Sequence, residues 1–186
     1  MVGLLLGDLF IQSRGKSGNT RLFFEQGIIH KDYLYHLFDL FKPFCLTEPK
    51  EYIHKIRGKS HLSLAFKTLT FPCFKEFYDL FYPTGVKVVP VNIQELMTPL
   101  ALAYWIADDG GFCQTRQRLT LATHSFTVKD VELLSKILNE KFTLECAVHK
   151  HCKHYVITMP AKSLPVLQEL LAPHMPSAMR HKIGLS

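Results

Sequence analysis

The chain has 186 residues, 47% of them hydrophobic and 20% charged, enough apolar material for a sizeable core. Its longest apolar run falls far short of the ~20 residues a membrane span requires, and no charged n-region with a small-residue cleavage site marks a signal peptide, so neither a membrane nor a small-molecule substrate is expected as partner. A formal net charge of +6 and a pI near 9.1 favour an acidic partner, and five cysteines, odd in number and without a CxxC pair, point to a reducing compartment.

Residues 1–9 read as a helix with no polar face, closed by an isolated carboxylate at Asp8. Because Met1 opens this apolar motif, any natural leader is expected to have been lost or trimmed. Residues 10–14 and 20–26 alternate as a strand pair around the turn Gly15-Lys16-Ser17-Gly18-Asn19. Tyr33, Leu34, Leu37, Phe38, Leu40 and Phe41 recur at helical spacing across 31–43. Strand-like segments follow at 50–57 and 61–67, split by Gly58-Lys59-Ser60, and then a helix at 73–82. The second half runs in the same order: helix 98–109, strands within 112–124, helix 127–141, strands 144–149 and 153–158, helix 161–172.

Four short segments of the first half also recur in the same order in the second, with an offset that shrinks slowly as loop lengths would allow. VGLLLGD ending at Asp8 matches LAYWIADD ending at Asp109, and Lys31-Asp32 opens a helix as Lys129-Asp130 does. His54-Lys55 matches His149-Lys150, and FYDLFYP matches LQELLAP. The chain therefore reads as two αββαββα units, 1–92 and 93–186, each short for an independent domain and expected to share a core.

An all-apolar helix must be buried on every side. Gly3 and Gly7 in the first motif, and Ala103 and Ala107 in the second, form small-residue stripes along which two helices can approach closely. Side by side, they would form the seam of a pseudo-twofold molecule, with Asp8 and Asp109 emerging together at one end. A carboxylate at a helix C-terminus opposes the helix dipole and needs a compensating cation. A divalent metal bridging the two acids would supply it.

Arg14, Lys16, Arg21, Lys55, Arg57, Lys59, Lys67, Arg116, Arg118, Lys150 and Lys153 fall in strand and turn segments, whereas the helices carry charges of mixed sign. Basic residues on a sheet suit a curved surface laid along a polyanion, and the acid pair makes nucleic acid a better reading than a merely soluble basic protein. His149-Lys150-His151-Cys152-Lys153-His154 has metal-ligand side chains at close spacing. Alternate residues of a strand face opposite ways, however, so a basic hairpin is preferred to a zinc site.

VGLLLGDLF and LAYWIADDGG resemble the two eponymous motifs of the LAGLIDADG homing endonucleases in their single-chain, intron-encoded form, and THSFT at 123–127 is similar to the segment that follows the second motif. The resemblance spans the whole chain. It implies an α+β fold of two pseudo-symmetric αββαββα repeats, with the motif helices at the interface and antiparallel sheets forming a DNA-binding saddle. It also implies metal-dependent cleavage of both strands of a long double-stranded DNA site, with Mg²⁺ or Mn²⁺ as cofactor and two or three ions present when DNA is bound. A monomer in a mitochondrion or chloroplast is expected.

By resemblance, Asp8 and Asp109 are metal ligands, accompanied by Gly7 and Asp108, the latter one position off the register of the first motif. The supporting polar residue after the first motif is Glu25 or Gln26, and its second-repeat counterpart is Thr123 or His124. The basic residue near each site matches Lys87 in VKVVP and Lys182 in RHKIG. Two departures stand out: Leu9 replaces a small residue after Asp8, and Tyr104 and Asp108 stand where the first motif has Gly3 and Gly7. Gln12, Arg14, Arg21, Lys55, Arg57, Gln114, Arg116, Gln117, Arg118 and His149 are the candidate base readers. Lys16, Lys59, His124, Lys150 and Lys153 complete the DNA-contact set, and strand alternation will turn about half of the strand residues toward the core. An intron RNA maturase, or a non-cleaving nucleic-acid binder on the same scaffold, is the alternative; it has no need of two acids. A repeat protein that binds an acidic protein leaves both acids unexplained.

Overall fold

A computed structural model describes residues 1–14, 19–56 and 58–185, so Lys16 and Arg57 of the DNA-contact set lie outside the described residues. The first apolar stretch folds as α1 (Val2–Leu6), which ends where the Gly7 N–H returns to the Gly3 carbonyl at 3.0 Å. The helix is therefore shorter than the apolar pattern suggested. The chain continues through β1 (Phe10–Arg14), β2 (Asn19–Gly27), α2 (Lys31–Phe41), β3 (Lys50–Ile56), β4 (Lys59–Lys67) and α3 (Cys73–Phe81). After the short α4 (Ile93–Leu96) come α5 (Pro99–Asp109), β5 (Gly110–Cys113), β6 (Arg118–Ala122), α6 (Val128–Phe142), β7 (Ala147–His151), β8 (His154–Met159) and α7 (Leu164–Leu171). A 3₁₀ segment over Ser177–Ile183 follows; neither it nor α4 has a clear signal in the apolar periodicity. No helix among the described residues is long and apolar enough to cross a membrane.

Contacts divide the chain into two bodies, Asp8–Thr84 and a second made of Gly85–Ser186 together with Met1–Gly7. In the body Asp8–Thr84, an antiparallel sheet has the order β1-β2-β4-β3. Leu22, Phe24, Leu64 and Phe66 point from one face into the core, where they meet α2. There the Phe24 ring lies 4.8 Å from Phe41 and 4.5 Å from Phe66, and Phe38 meets Phe66 edge-on at 5.3 Å. Tyr33, Leu34, Leu37 and Phe38, at the helical spacing read from the sequence, are the buried side of α2.

The other body repeats the sheet as β5-β6-β8-β7, again antiparallel, with Leu119, Leu121, Ile157 and Met159 on its core face. A capping box starts α6, with Thr127 accepting from the Asp130 N–H while the Asp130 carboxylate accepts from the Thr127 N–H. The expected strand at 144 begins instead at Ala147. Thr143 (φ 55°) and Glu145 (φ 48°) are left-handed, and Asn139 Oδ1 accepts the Cys146 N–H at 2.5 Å, so a helix-exit turn occupies those residues.

In this second body, α1 packs on α5. Leu4, Leu5 and Leu6 of α1, and Leu102, Trp105 and Ile106 of α5, are buried, each aliphatic side chain contributing about 1.5–3 kcal/mol. Thr98 caps α5 by accepting the Ala101 N–H at 3.1 Å, and Pro99 occupies the first turn, where its missing N–H costs nothing. Gly3 makes its close approach to the Ala101 backbone, two positions before Ala103, while Gly7 lies against the Asp108 side chain. Asp108 thus fills space opposite the glycine, which is why the two small-residue stripes need not match in register.

Candidate active site and nucleic-acid interface

The C-terminal turn of a helix leaves carbonyls without intrahelical donors, at the negative end of the dipole. In the body that contains α1 and α5, lysines fill both such places. Lys87, from the connection ahead of α4, donates from Nζ to the Gly7 carbonyl at 2.6 Å. Lys182 donates to the carbonyls of Ala107 and Asp108 at 2.5 and 2.9 Å. Each lysine therefore reaches the carbonyl of the residue immediately before a motif acid, Gly7 before Asp8 and Asp108 before Asp109. Lys182 is held there by the 3₁₀ segment Ser177–Ile183, which Gln168 anchors by donating to the Ile183 carbonyl at 2.8 Å. Both lysines are half-buried, so these contacts are screened less than at an open surface. They supply part of the positive charge that an acid at a helix C-terminus calls for.

Asp8 belongs to the other body. It is exposed, and Gln26 donates from Nε2 to its Oδ2 at 2.9 Å. Alternation along β2 separates the two residues that the sequence left open. Gln26 shares the parity of Leu22 and Phe24 and reaches Asp8, whereas Glu25 turns to the opposite face and meets His54 and Ser63. In the second repeat, Thr123 is buried and donates to the Tyr155 carbonyl at 2.7 Å. The His124 ring lies 4.9 Å from His154 and 6.5 Å from His151. Asp108 and Asp109 are half-buried at the end of α5.

Carboxylates and peptide carbonyls are hard oxygen donors that suit Mg²⁺ or Mn²⁺, and Mg²⁺ typically takes one or two carboxylates while keeping waters and substrate phosphate oxygens. The motif residues fit that donor set. Among the described residues no group of three or more His, Cys, Asp and Glu could hold a metal ion.

The strand registers assign the faces. In the body Asp8–Thr84, Gln12 pairs with Arg21, and both lie on the face away from α2. The Arg21 Nε and Nη2 both donate to Gln12 Oε1, at 2.8 and 2.5 Å. Arg14 ends β1, its backbone paired with Asn19. Lys59 shares this open face, as do Lys50, Tyr52, His54, His61 and Lys67, none of which was among the candidate base readers. Lys55 has the opposite parity to His54 and lies on the helix side of its strand.

In the other body, Arg118 pairs with Cys113, and His149 with Val156, on the face away from Leu119 and Leu121. Lys150 has the opposite parity, and Lys153 sits in the tight turn between β7 and β8. Gln114, Arg116 and Gln117 form the β5–β6 turn, where Gln117 (φ 47°) donates to the Gln114 carbonyl at 2.7 Å. In that turn a hydrogen bond with the Thr115 hydroxyl, aided by backbone N–H groups, pulls the Cys113 thiol pKa down. His54 and Ser63 were missed because β2 pairs with β4 rather than with its neighbour in sequence, and that register fixes which side chains share a face with Glu25.

The model of the LAGLIDADG DNA endonuclease family matches residues 1–167. The chain is 34% identical to a cytochrome b mRNA maturase bI2 of Debaryomyces hansenii, covering 99% of this chain and 72% of that protein. It is 30% identical to the DNA endonuclease I-ChuI of Chlamydomonas applanata, covering 98% and 91%. A structure of the homing endonuclease I-WcaI bound to its DNA recognition sequence superimposes with a TM-score of 0.92 at 26% identity, over 100% of this chain and 84% of that one.

Proposed function

This chain belongs to the LAGLIDADG DNA endonuclease family, and we propose that it is a site-specific endonuclease that makes a double-strand break in a long DNA target by metal-dependent phosphodiester hydrolysis. The observation that carries this reading is the similarity over the entire chain to an endonuclease solved on its recognition sequence, joined to the retention of an acid at the end of both motif helices. Asp8 and Asp109 are the proposed metal-binding acids, with the Gly7 and Asp108 carbonyls beside them. A bound Mg²⁺ or Mn²⁺ would supply charge neutralisation at the phosphate and would lower the pKa of a water so that its hydroxide can attack.

Gln26 orients the Asp8 carboxylate by donating from Nε2 to Oδ2. Lys87 and Lys182 hold the peptide carbonyls at the motif ends in the free protein. Their flexible stems let the ammonium groups turn to the scissile phosphate when DNA is seated, exchanging a carbonyl acceptor for a charged one. The open sheet faces, with Gln12, Arg21, Arg118 and His149, are the proposed major-groove readers. An organelle genome is the expected setting.

Digestion of a randomised plasmid library in Mg²⁺ tests this, comparing the intact protein with D8N and D109N. Both variants are expected to lose cutting and keep DNA binding. If both still cut, the assignment of the acids is wrong. The similarity to a cytochrome b mRNA maturase favours a second reading, in which the same scaffold assists folding of an intron RNA. Tight binding and accelerated splicing of a cognate intron, unaffected by D8N and D109N, would identify that activity.

A further inference from the structure

Glu25 is an acid in the middle of a basic sheet face. It shares that face with Arg21, Lys50, His54, Ser63 and Lys67, drawn from three neighbouring strands. Ser63 donates its hydroxyl to Glu25 Oε1 at 2.5 Å, and His54 Nε2 lies 2.5 Å from the same oxygen and 3.1 Å from Ser63 Oγ. A carboxylate only accepts, so the proton in the His54 contact sits on Nε2. Both ties go to Oε1; neither uses Oε2. The cluster therefore fixes the carboxylate and presents the acceptor Glu25 Oε2, with side-chain exposures of 31% and 47% for Glu25 and His54.

A fixed carboxylate repels phosphate, so Glu25 weakens general affinity for a polyanion. Its use is discrimination, by placing lone pairs where a wrong partner also has lone pairs. In the major groove guanine offers two acceptors, thymine an acceptor and a methyl, and adenine an acceptor beside its amino group. Cytosine offers a lone N4 amino donor. Resting on the reading of this face as DNA-contacting, we infer that Glu25, positioned by His54 and Ser63, selects cytosine at one position of the target duplex by accepting from its N4 amino group. Ser63 and His54 are positioning residues: they act on the base through the carboxylate.

Binding selection from a randomised duplex pool, run with the full chain in chelator so that no duplex is cut, reads this directly. The wild type is expected to prefer cytosine at one position about tenfold or more over guanine and thymine. E25Q is expected to lose that preference at that position alone and to gain adenine, which a glutamine amide can contact through N6 and N7. S63A and H54Q, which keep the carboxylate but loosen it, should reduce the preference severalfold at the same position. This localised loss separates base reading from a general structural role, and S63A reads the same position should E25Q fail to fold. A clear wild-type site left unchanged by E25Q and S63A, or changed evenly along its length, would overturn this inference and leave the nuclease reading intact. A wild-type selection without any sequence preference would overturn both.

Discussion

Replacing Gly3 by alanine tests the α1–α5 packing, because a methyl there has nowhere to go. Its Cβ would run into the Ala101 carbonyl oxygen, 2.7 Å from the carbonyl carbon and 3.0 Å from Cα, where about 3.5–4.0 Å is optimal. All three obstacles are backbone atoms of a buried helix, so no rotamer change relieves the clash. The helices must move apart by on the order of 1 Å, and such a gap forfeits a quarter to a half of the dispersion energy along it. Overpacking of this kind costs ~1–3 kcal/mol, and with rigid obstacles the upper end applies. Alanine returns ~1 kcal/mol of helix propensity, leaving a net loss of about 2 kcal/mol. For a chain of this size that lowers the melting midpoint by roughly 4–8 °C, measured by circular dichroism or calorimetry. G27A is the control: its nearest neighbour is Ile29 Cγ1 at 3.9 Å, an ordinary contact, so its midpoint should hold or rise slightly. A G3A protein that melts at or above the wild type would refute the seam as described.

Burial holds the His36 pKa below its usual 6.5, with Asp39 opposing. The unfolded chain therefore takes up a proton first as pH falls, and stability present above pH 6.5 is lost as pH drops through the lower folded value. The melting midpoint should fall between pH 7 and pH 5.5, with a shallower fall in H36Q; equal slopes in the two proteins would exclude this source. The cysteines should separate in timed alkylation followed by peptide mass spectrometry. The Cys113 thiol, favoured as thiolate by Thr115, should react first at neutral pH and slow down in T115V. Cys146, pushed up to about 12 by burial, should label on unfolding, and labelling as fast as that of exposed Cys73 would contradict its placement.

Signals local in sequence proved legible. The apolar spacing of Tyr33, Leu34, Leu37 and Phe38 marks the buried side of α2, and the duplicated order of elements gives two sheets with equivalent strand orders. What escaped depended on partners distant in sequence. Alternation alone parts Gln26 from Glu25, but the β2–β4 and β3–β4 registers decide what shares a face with each, sending Lys55 to the helix side while Lys50 and Lys67 come to the open face. The strand expected from residue 144 is displaced by a hydrogen bond that the Cys146 N–H donates to the Asn139 side chain, seven residues upstream of Cys146, which no alternation pattern encodes. Family resemblance singled out Lys87 and Lys182, but their shared contact with carbonyls ahead of the motif acids required coordinates.

Helix α1 is encoded ahead of the body Asp8–Thr84 yet packs within the body Gly85–Ser186. During translation, Leu4, Leu5 and Leu6 leave the ribosome long before α5 has been made. The nascent chain must carry those three leucines without their α5 partner while an entire intervening body is synthesised.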